Sequence, residues 1–467
     1  MALLADGDIG RFHYQLFIAL LCISLYLSKN GKDIRRMKHV NILVFPCGSE
    51  VGLEINKSLK DISFITLYGG SSVADHGEWE YENYIGSIPY ITDEHFVEKL
   101  NGIIDQYHID YIFPAFDAAV LKLSECRDDL HAEILTSSKE AVQICRSKAK
   151  TYEKLSGAYF LPKVYVSPDE VTEFPVLMKP AVGQGGQGVK IISDEETLRF
   201  ELEHRPEKQV VCEYLPGMEY TVDCFTDRHG VLKYCAHRSR RRIKNGISVN
   251  SVLEPESEEV KKIAQVINSK MSFRGAWFFQ LKLSKNNEYR LMEAATRVAG
   301  TMCVERARGV NLPLLTVFDA MGYDVDIHPE FQSVETDRAL NNCYKIDLDF
   351  DELYIDYDDT IVVHDRVNLS AIALLYKCLN RNIPIYLVTK HEEDIHEALR
   401  ARHISEGIFR DIIHIGKTDK KVDHMHPGAK ALYVDDSFAE RESVRKRFGI
   451  KVMGVDSLEV LLNGVMM

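Results

Sequence analysis

From Val40 onward the chain alternates short apolar runs with stretches of helical periodicity, and this alternation narrows the available folds more than any other feature. Val40–Phe45 is an apolar run of strand length. A turn follows at Pro46–Ser49, then a helical pattern to Leu59 and a second apolar run at Phe64–Leu67. Strands separated by helices require crossovers, so they lie parallel in a sheet whose faces the helices cover. A later run, Tyr111–Phe113, leads into Pro114, Ala115, Phe116 and Asp117. In open α/β sheets such strand ends face the ligand crevice. The pattern predicts a first parallel α/β unit over residues 37–140.

Residues 141–335 mix strands, turns and helical stretches, an α+β pattern that fades into polar residues around Val334–Asn342. A fresh strand–helix alternation then begins, with apolar runs at Leu353–Ile355, Tyr386–Val388 and Ala431–Val434, and predicts another parallel α/β domain over 350–467. A chain of 467 residues exceeds one ordinary core, so a multidomain α/β and α+β protein is expected.

Composition sets the class: 45% hydrophobic and 27% charged residues describe a globular chain, and a formal net charge of −13 argues against nucleic acid as a partner. The ten cysteines form no CxxC pair, as expected of a reducing, cytoplasmic setting. Residues 1–36 differ from the rest. The apolar run Leu16–Leu27 is preceded by Asp6 and Asp8 and followed by Lys29, Lys32, Arg35 and Arg36. It is short for a bilayer and lacks the basic start of a signal peptide, so an extension outside the core is expected, with a weak membrane anchor as the alternative.

Residues 176–190 place Lys179 on a strand, then Gly183, Gly185, Gly186 and Gly188 in a loop, then another apolar run. Glycines let backbone N–H groups close on phosphate oxygens, and a nearby lysine adds a point charge. A flexible surface hairpin reads the same way, but a P-loop does not, because the lysine–serine ending and the following helix are missing. Further on come Val210–Asp223, then Gln280, then Arg290 through Glu293, Ala295 and Arg297 to Gly300. Gln280 and Glu293, on neighbouring strands, suit magnesium, which takes a few oxygen ligands shared with substrate phosphates. The stretch His237–Gly246 is the most basic in the chain, and by itself reads as a solvated face or an RNA patch.

In this order, the pieces from Met37 to Met321 resemble the ATP-grasp superfamily of carboxylate–amine ligases and carbamoyl-phosphate-synthase-like enzymes. The resemblance implies a Rossmann-like domain first, then a two-lobed domain that sandwiches ATP, used as a substrate with magnesium or manganese. It implies that Lys148, Lys179 and the loop glycines Gly185, Gly186 and Gly188 meet the phosphates. Glu213, Tyr214 and Leu215 would hinge against adenine, and Glu219 would take the ribose. Arg240 and Arg242 would neutralise triphosphate or substrate carboxylate, and Arg297 would face the acyl phosphate. One departure stands out: the superfamily often carries an asparagine where this chain has Ala295, so a metal-ligating amide is missing. A carboxylate would attack the γ-phosphate and an amine or similar nucleophile would displace phosphate from the acyl phosphate, giving ADP. The partners implied are a small-molecule carboxylate and an amine, and a homodimer is compatible with the resemblance. Cys47, Gly48, Ser49 and Asp117 should help shape the acceptor pocket.

Leu353-Tyr-Ile-Asp356-Tyr-Asp358-Asp359-Thr360 delivers two carboxylates, two residues apart, at the end of a strand. They share one face, so one can attack while its neighbour manages a proton. With Thr389, Lys421 or Lys420, and Asp435-Asp436 following in order, the segment resembles the haloacid dehalogenase (HAD) superfamily. By that likeness Asp356 forms an aspartyl-phosphate, Asp358 is general acid and base, and Thr389 and Lys421 hold phosphoryl oxygens. Magnesium would sit among Asp356, the Asp358 carbonyl, Asp435 and Asp436. About 29 residues separate Thr360 from Thr389 and about 32 separate Thr389 from Lys421, leaving no room for a folded lid. A capless, Rossmann-type phosphatase domain acting on a phosphorylated metabolite follows. The whole reads as a ligase coupled to a phosphatase, with a phosphatase regulated by a non-catalytic ATP-binding module as the alternative.

Overall fold

The computed structural model describes residues 37–183, 186–244, 246–346 and 348–466. The extension expected over 1–36, and Gly185 of the glycine loop, lie outside them. The chain divides into two compact units, one ending at Ala339 and the other beginning at Leu340. Among the described residues no helix is long and apolar enough to cross a membrane.

The first unit opens with β1 (Val40–Phe45), β2 (Ile65–Gly70), β3 (Asn83–Ile85), β4 (Tyr111–Pro114) and β5 (Glu133–Ile134), all parallel in the order β3-β2-β1-β4-β5. Alternate residues of β1 feed opposite faces. Ile42 and Val44 pack with Ile55 and Leu59 of the helix Glu50–Leu59, while Leu43 and Phe45 pack with Leu100 of the helix Phe96–Tyr107. A strand buried on both faces is apolar along most of its length, which is why Val40–Phe45, polar only at the partly buried Asn41, was so plain in the sequence. The first helix starts at once because Ser49 Oγ accepts the Gly52 N–H at 3.0 Å, and because a Cβ at Gly52 would lie 2.3 Å from the Cys47 carbonyl oxygen.

A four-stranded antiparallel sheet follows, with β6 (Val164–Tyr165), β7 (Val176–Pro180), β8 (Lys190–Ile192) and β9 (Gln209–Glu213) in the order β6-β9-β7-β8. A larger antiparallel sheet holds β10 (Glu219–Thr226), β11 (Leu232–Lys244), β12 (Ile247–Leu253), β13 (Gly275–Leu283), β14 (Tyr289–Ala295) and β15 (Glu335–Asp337), in the order β14-β13-β10-β11-β12-β15. Its core centres on Trp277, whose ring stacks on Phe273 at 4.0 Å and whose indole N–H donates to Thr226 Oγ1 at 2.8 Å. The strand β15 lies inside the stretch that the sequence suggested was a polar fade. It is a three-residue edge strand held by β12 on one side, so it needs no apolar alternation.

Beneath this sheet lies a buried polar network: Arg238 donates to Asp223 at 2.8 Å, and Tyr234 joins Glu305 and Arg308. Burial, and then the nearby Asp223 charge, push the Glu305 carboxyl up to about 7. An acid raised in the fold favours its protonated form there. The unfolded chain ionises from about 4.5, so stability falls as pH rises from there and levels off above about 7. Urea unfolding followed across that range should show this loss, and Glu305→Gln should flatten it.

The second unit holds β16 (Tyr344–Ile346), β17 (Glu352–Ile355), β18 (Val362–Val363), β19 (Arg366–Val367), β20 (Ile385–Thr389), β21 (Asp411–His414), β22 (Ala431–Val434), β23 (Lys451–Met453) and β24 (Gly464–Met466). Its main sheet is parallel, in the order β21-β20-β17-β22-β23. Between Thr360 and β20 lie only the β18–β19 hairpin and the helix Leu369–Asn380. Between β20 and Lys421 lie the helix Ile395–Ala401, one short 3₁₀ turn and β21.

Candidate functional site

The first unit contains a cleft of about 970 Å³, bordered by the ends of the parallel strands and by both antiparallel sheets. Lys179 enters it from β7 and is 4% exposed. Its ammonium donates to Tyr152 Oη at 2.8 Å and to the Met292 carbonyl at 3.2 Å, both uncharged oxygens. Burial pushes the Tyr152 phenol well up, so it stays neutral. Lys148, on the helix Lys148–Lys154, instead meets a carboxylate, with its Nζ 3.1 Å from Glu293 Oε2, and also reaches the Gly183 carbonyl at 3.4 Å.

Gln280 on β13 stands directly opposite Glu293 on β14, and both line the cleft. One amide and one carboxylate oxygen facing the same space form a donor set that fits magnesium. Ala295, opposite Phe278, brings no further ligand.

At the other end of the cleft Glu219 receives the Arg240 guanidinium, whose Nη2 also donates to the Gly246 carbonyl at 2.7 Å. Tyr214 and Leu215 form part of the wall. Glu213 itself turns aside: its Oε1 accepts the Lys163 N–H at 2.9 Å and lies 3.4 Å from Arg290 Nε. Arg242, expected at the triphosphate or the substrate carboxylate, does not line the cleft. Its exposed guanidinium pairs with Asp337 of β15 at 2.6 Å. In a regular strand Arg240 and Arg242 would share a face, but β11 shifts register between them, and that irregularity turns Arg242 away. The basic stretch is split: Arg238 and Arg240 are buried against Asp223 and Glu219, while Arg241, Arg242 and Lys244 are exposed. In the glycine loop Gly188 has φ +73°, and a Cβ there would lie 2.8 Å from Pro180 Cγ. Only glycine suits that position.

Arg297, just past β14, donates through Nε and Nη2 to Asp117 at 2.7 and 2.9 Å and stacks over Phe278 at 5.1 Å. Burial works to raise the Asp117 carboxyl, yet the Arg297 guanidinium overrides it and holds the acid below its usual range. Ser49 also lines the cleft. Cys47 does not: it is buried 3.2 Å from Ser71 Oγ, and burial pushes its thiol to about 12. Tyr152 had no local signal in the sequence, because it meets Lys179 only across 27 residues of chain.

The second unit gathers a separate cluster at the carboxyl ends of β17 and β22. Lys421 Nζ lies 2.7 Å from both Asp356 Oδ1 and Asp435 Oδ2, all three nearly buried. Lys420 is exposed, which decides between the two lysines. Asp435 also accepts the Tyr433 hydroxyl and, at 2.7 Å, the Ser437 N–H. Burial, reinforced by the Asp435 charge and opposed by Lys421, raises the Asp356 carboxyl. Burial likewise raises Asp436. Asp356, Asp435 and Asp436 each offer an oxygen within 4.8 Å of the others, a hard-oxygen set that fits a divalent cation. Thr389 is buried at the end of β20. The Asp358 side chain turns to His391 Nδ1 at 2.9 Å, a partner no motif announced.

Residues 205–342 match the family model described as "ATP-grasp in the biosynthetic pathway with Ter operon". The chain is 23% identical, over 66% of its length, to the carbamoyl phosphate synthase arginine-specific large chain of Bacillus subtilis, and spans 33% of that protein. It is 29% identical over 35% of its length to the carbamoyl phosphate synthase large chain of Clostridium botulinum, spanning 17% of it. Among solved structures it is similar to the biotin carboxylase domain of Hydrogenobacter thermophilus 2-oxoglutarate carboxylase. That match has a TM-score of 0.53 and 16% identity, over 63% of this chain and 72% of that one. It is similar also to N5-carboxyaminoimidazole synthetase from Staphylococcus aureus complexed with ADP, with a TM-score of 0.52 and 16% identity, over 63% and 81%.

Proposed function

We propose that this chain, which has the ATP-grasp fold, is an ATP-dependent carboxylate–amine ligase that works through an acyl phosphate and releases ADP and phosphate. One observation carries the reading: Lys179 is a nearly buried ammonium whose hydrogen bonds go to neutral oxygens. A buried charge without a counter-charge is costly unless a ligand supplies one, and a phosphate does so.

In this reading Lys179 and Lys148 bind phosphate oxygens, and Gly186 and Gly188 let the loop backbone close on them. Tyr214 and Leu215 border the base. Glu219 takes the ribose hydroxyls after releasing Arg240, which is then available to an anionic group. Gln280 and Glu293 would hold magnesium, which neutralises phosphate oxygens when bound. Arg297 faces the phosphoryl group as it passes to the carboxylate. Because these side chains are largely withdrawn from solvent, each of these charge interactions is stronger than it would be in bulk water.

The second unit supports a second activity, a HAD-type phosphohydrolase. Its support is the triad of Asp356, Lys421 and Asp435 at neighbouring strand ends, with Asp436 beside it. Asp356 would attack a phosphoryl group, Lys421 and Thr389 would hold its oxygens, and Asp358 would move the leaving-group proton. The three carboxylates would hold a divalent cation that offsets phosphoryl charge. Without a lid within the unit, a bulky phosphorylated metabolite is the expected substrate. We place the chain in a reducing, cytoplasmic setting, with which the thiols of Cys47, Cys126, Cys145, Cys212, Cys224, Cys235, Cys303 and Cys378 are compatible.

The test is mass spectrometry on the purified chain given Mg-ATP and a polar metabolite extract. ADP appearing together with a new amide-linked mass is the expected result. ATP left intact with every extract would sink the ligase reading and leave a phosphatase with a nucleotide-sensing module.

A further inference from the structure

Asp117, a partly buried carboxylate that borders the cleft, has no role in the proposed chemistry. Asp117 opens the helix Asp117–Glu125 at the end of β4, and Arg297 follows β14, so the pair joins two different sheets. The bond is bidentate, with Arg297 Nε on Oδ1 at 2.7 Å and Nη2 on Oδ2 at 2.9 Å, so Asp117 occupies one side edge of the guanidinium. Nη1 gives a third hydrogen to the Val298 carbonyl at 3.1 Å. A guanidinium has five N–H donors, so two remain, one on each terminal nitrogen. The Phe278 ring, 5.1 Å away, backs the guanidinium plane. Arg297 and Asp117 border the same cleft as Lys148, Lys179 and Glu293.

A carboxylate among cations has two possible uses. It can stand in for the ligand's own charge, to be displaced on binding, or it can hold the arginine in one orientation. The side-edge geometry favours the second, because the terminal donors a ligand needs are left vacant. Holding a long, flexible side chain before the ligand arrives removes that ordering cost from binding. We propose that Asp117 is a positioning residue that presents the two remaining donors of Arg297 to a single anionic group, the transferring phosphoryl of the bound nucleotide. The inference rests on the nucleotide reading of this cleft.

The full-length chain should be titrated by calorimetry with Mg-ADP and with Mg-AMP-PNP, the non-hydrolysable triphosphate analogue. The proteins compared are the wild type, Asp117→Asn, Asp117→Glu, Arg297→Lys and the double variant D117N/R297K. Asp117→Asn should keep ADP affinity, which also reports an intact fold, while losing about tenfold of the preference for the triphosphate, the scale of one charge-assisted hydrogen bond. Asp117→Glu, retaining the charge, should recover part of it, and the double variant should be no worse than Arg297→Lys alone. A tighter grip on AMP-PNP in Asp117→Asn would make Asp117 a place-holding anion and overturn the proposal, as would an unchanged preference. A wild type that binds neither nucleotide would overturn the nucleotide reading itself, a result distinct from either of these.

Discussion

Lys179→Met should reduce ADP formation by about 10²–10³-fold, the loss typical of removing one preorganised charge from a phosphoryl-transfer site. The basis is the isolation of this ammonium. It is nearly buried, bonded to Tyr152 and to a backbone carbonyl, while the neighbouring cations Lys148, Arg240 and Arg297 each meet a carboxylate. Those three must part from, or share, an existing partner when a nucleotide arrives. Lys179, which pairs with no carboxylate among the described residues, gains a counter-charge, and so should contribute most. Methionine keeps the length and apolar stem and removes the charge. Tyr152, now without its donor, is the residue at risk. Tyr152→Phe supplies the control: it should leave ADP formation within a few-fold of wild type, because the Met292 carbonyl still holds the ammonium. Coupled-enzyme detection of ADP measures both. Full activity in Lys179→Met would remove the central support for the ligase reading.

Asp356→Asn should abolish hydrolysis of an aryl phosphate such as p-nitrophenyl phosphate, by about 10⁴-fold or more, because deleting a covalent nucleophile leaves only binding and electrostatic effects. The same variant should retain ligase turnover, since Asp356 belongs to a different unit with its own core. Asparagine also removes a charge from the set that Lys421 bridges. The lysine then keeps Asp435 as its partner and the fold should survive, which far-ultraviolet circular dichroism would show. Loss of both activities in Asp356→Asn would point to a regulated single enzyme instead of two independent ones. Lys179→Met, with phosphatase activity intact, separates the same alternatives from the other side.

How much of this was legible in the chain depends on the range over which each residue finds its partners. The strands Val40–Phe45, Leu353–Ile355 and Ala431–Val434 could be read directly, because inner strands of parallel sheets are apolar on both faces and leave a run broken at most by one residue, here Asn41. The strand Glu335–Asp337 could not, because a short edge strand is held by one neighbour and carries no pattern of its own. Lys179 and the glycines after it were visible as a local motif, and Gln280 and Glu293 as an amide and a carboxyl group on adjacent strands. Arg242, which the resemblance set beside Arg240, is turned outward by the register shift inside β11 and pairs with Asp337.

By itself, then, the sequence determined which segments form parallel sheets and which residues bring charge to the strand ends, since both follow from periodicities of a few residues. Tertiary structure alone decided which charges meet. Tyr152 beneath Lys179, Asp117 on the side edge of Arg297, Lys421 in place of Lys420 between Asp356 and Asp435, and His391 on Asp358 are all contacts between separate elements. The physical reason is range. Hydrogen bonds and buried ion pairs act over about 3 Å in space, whereas local sequence patterns encode only backbone geometry, and the folded sheets convert one into the other.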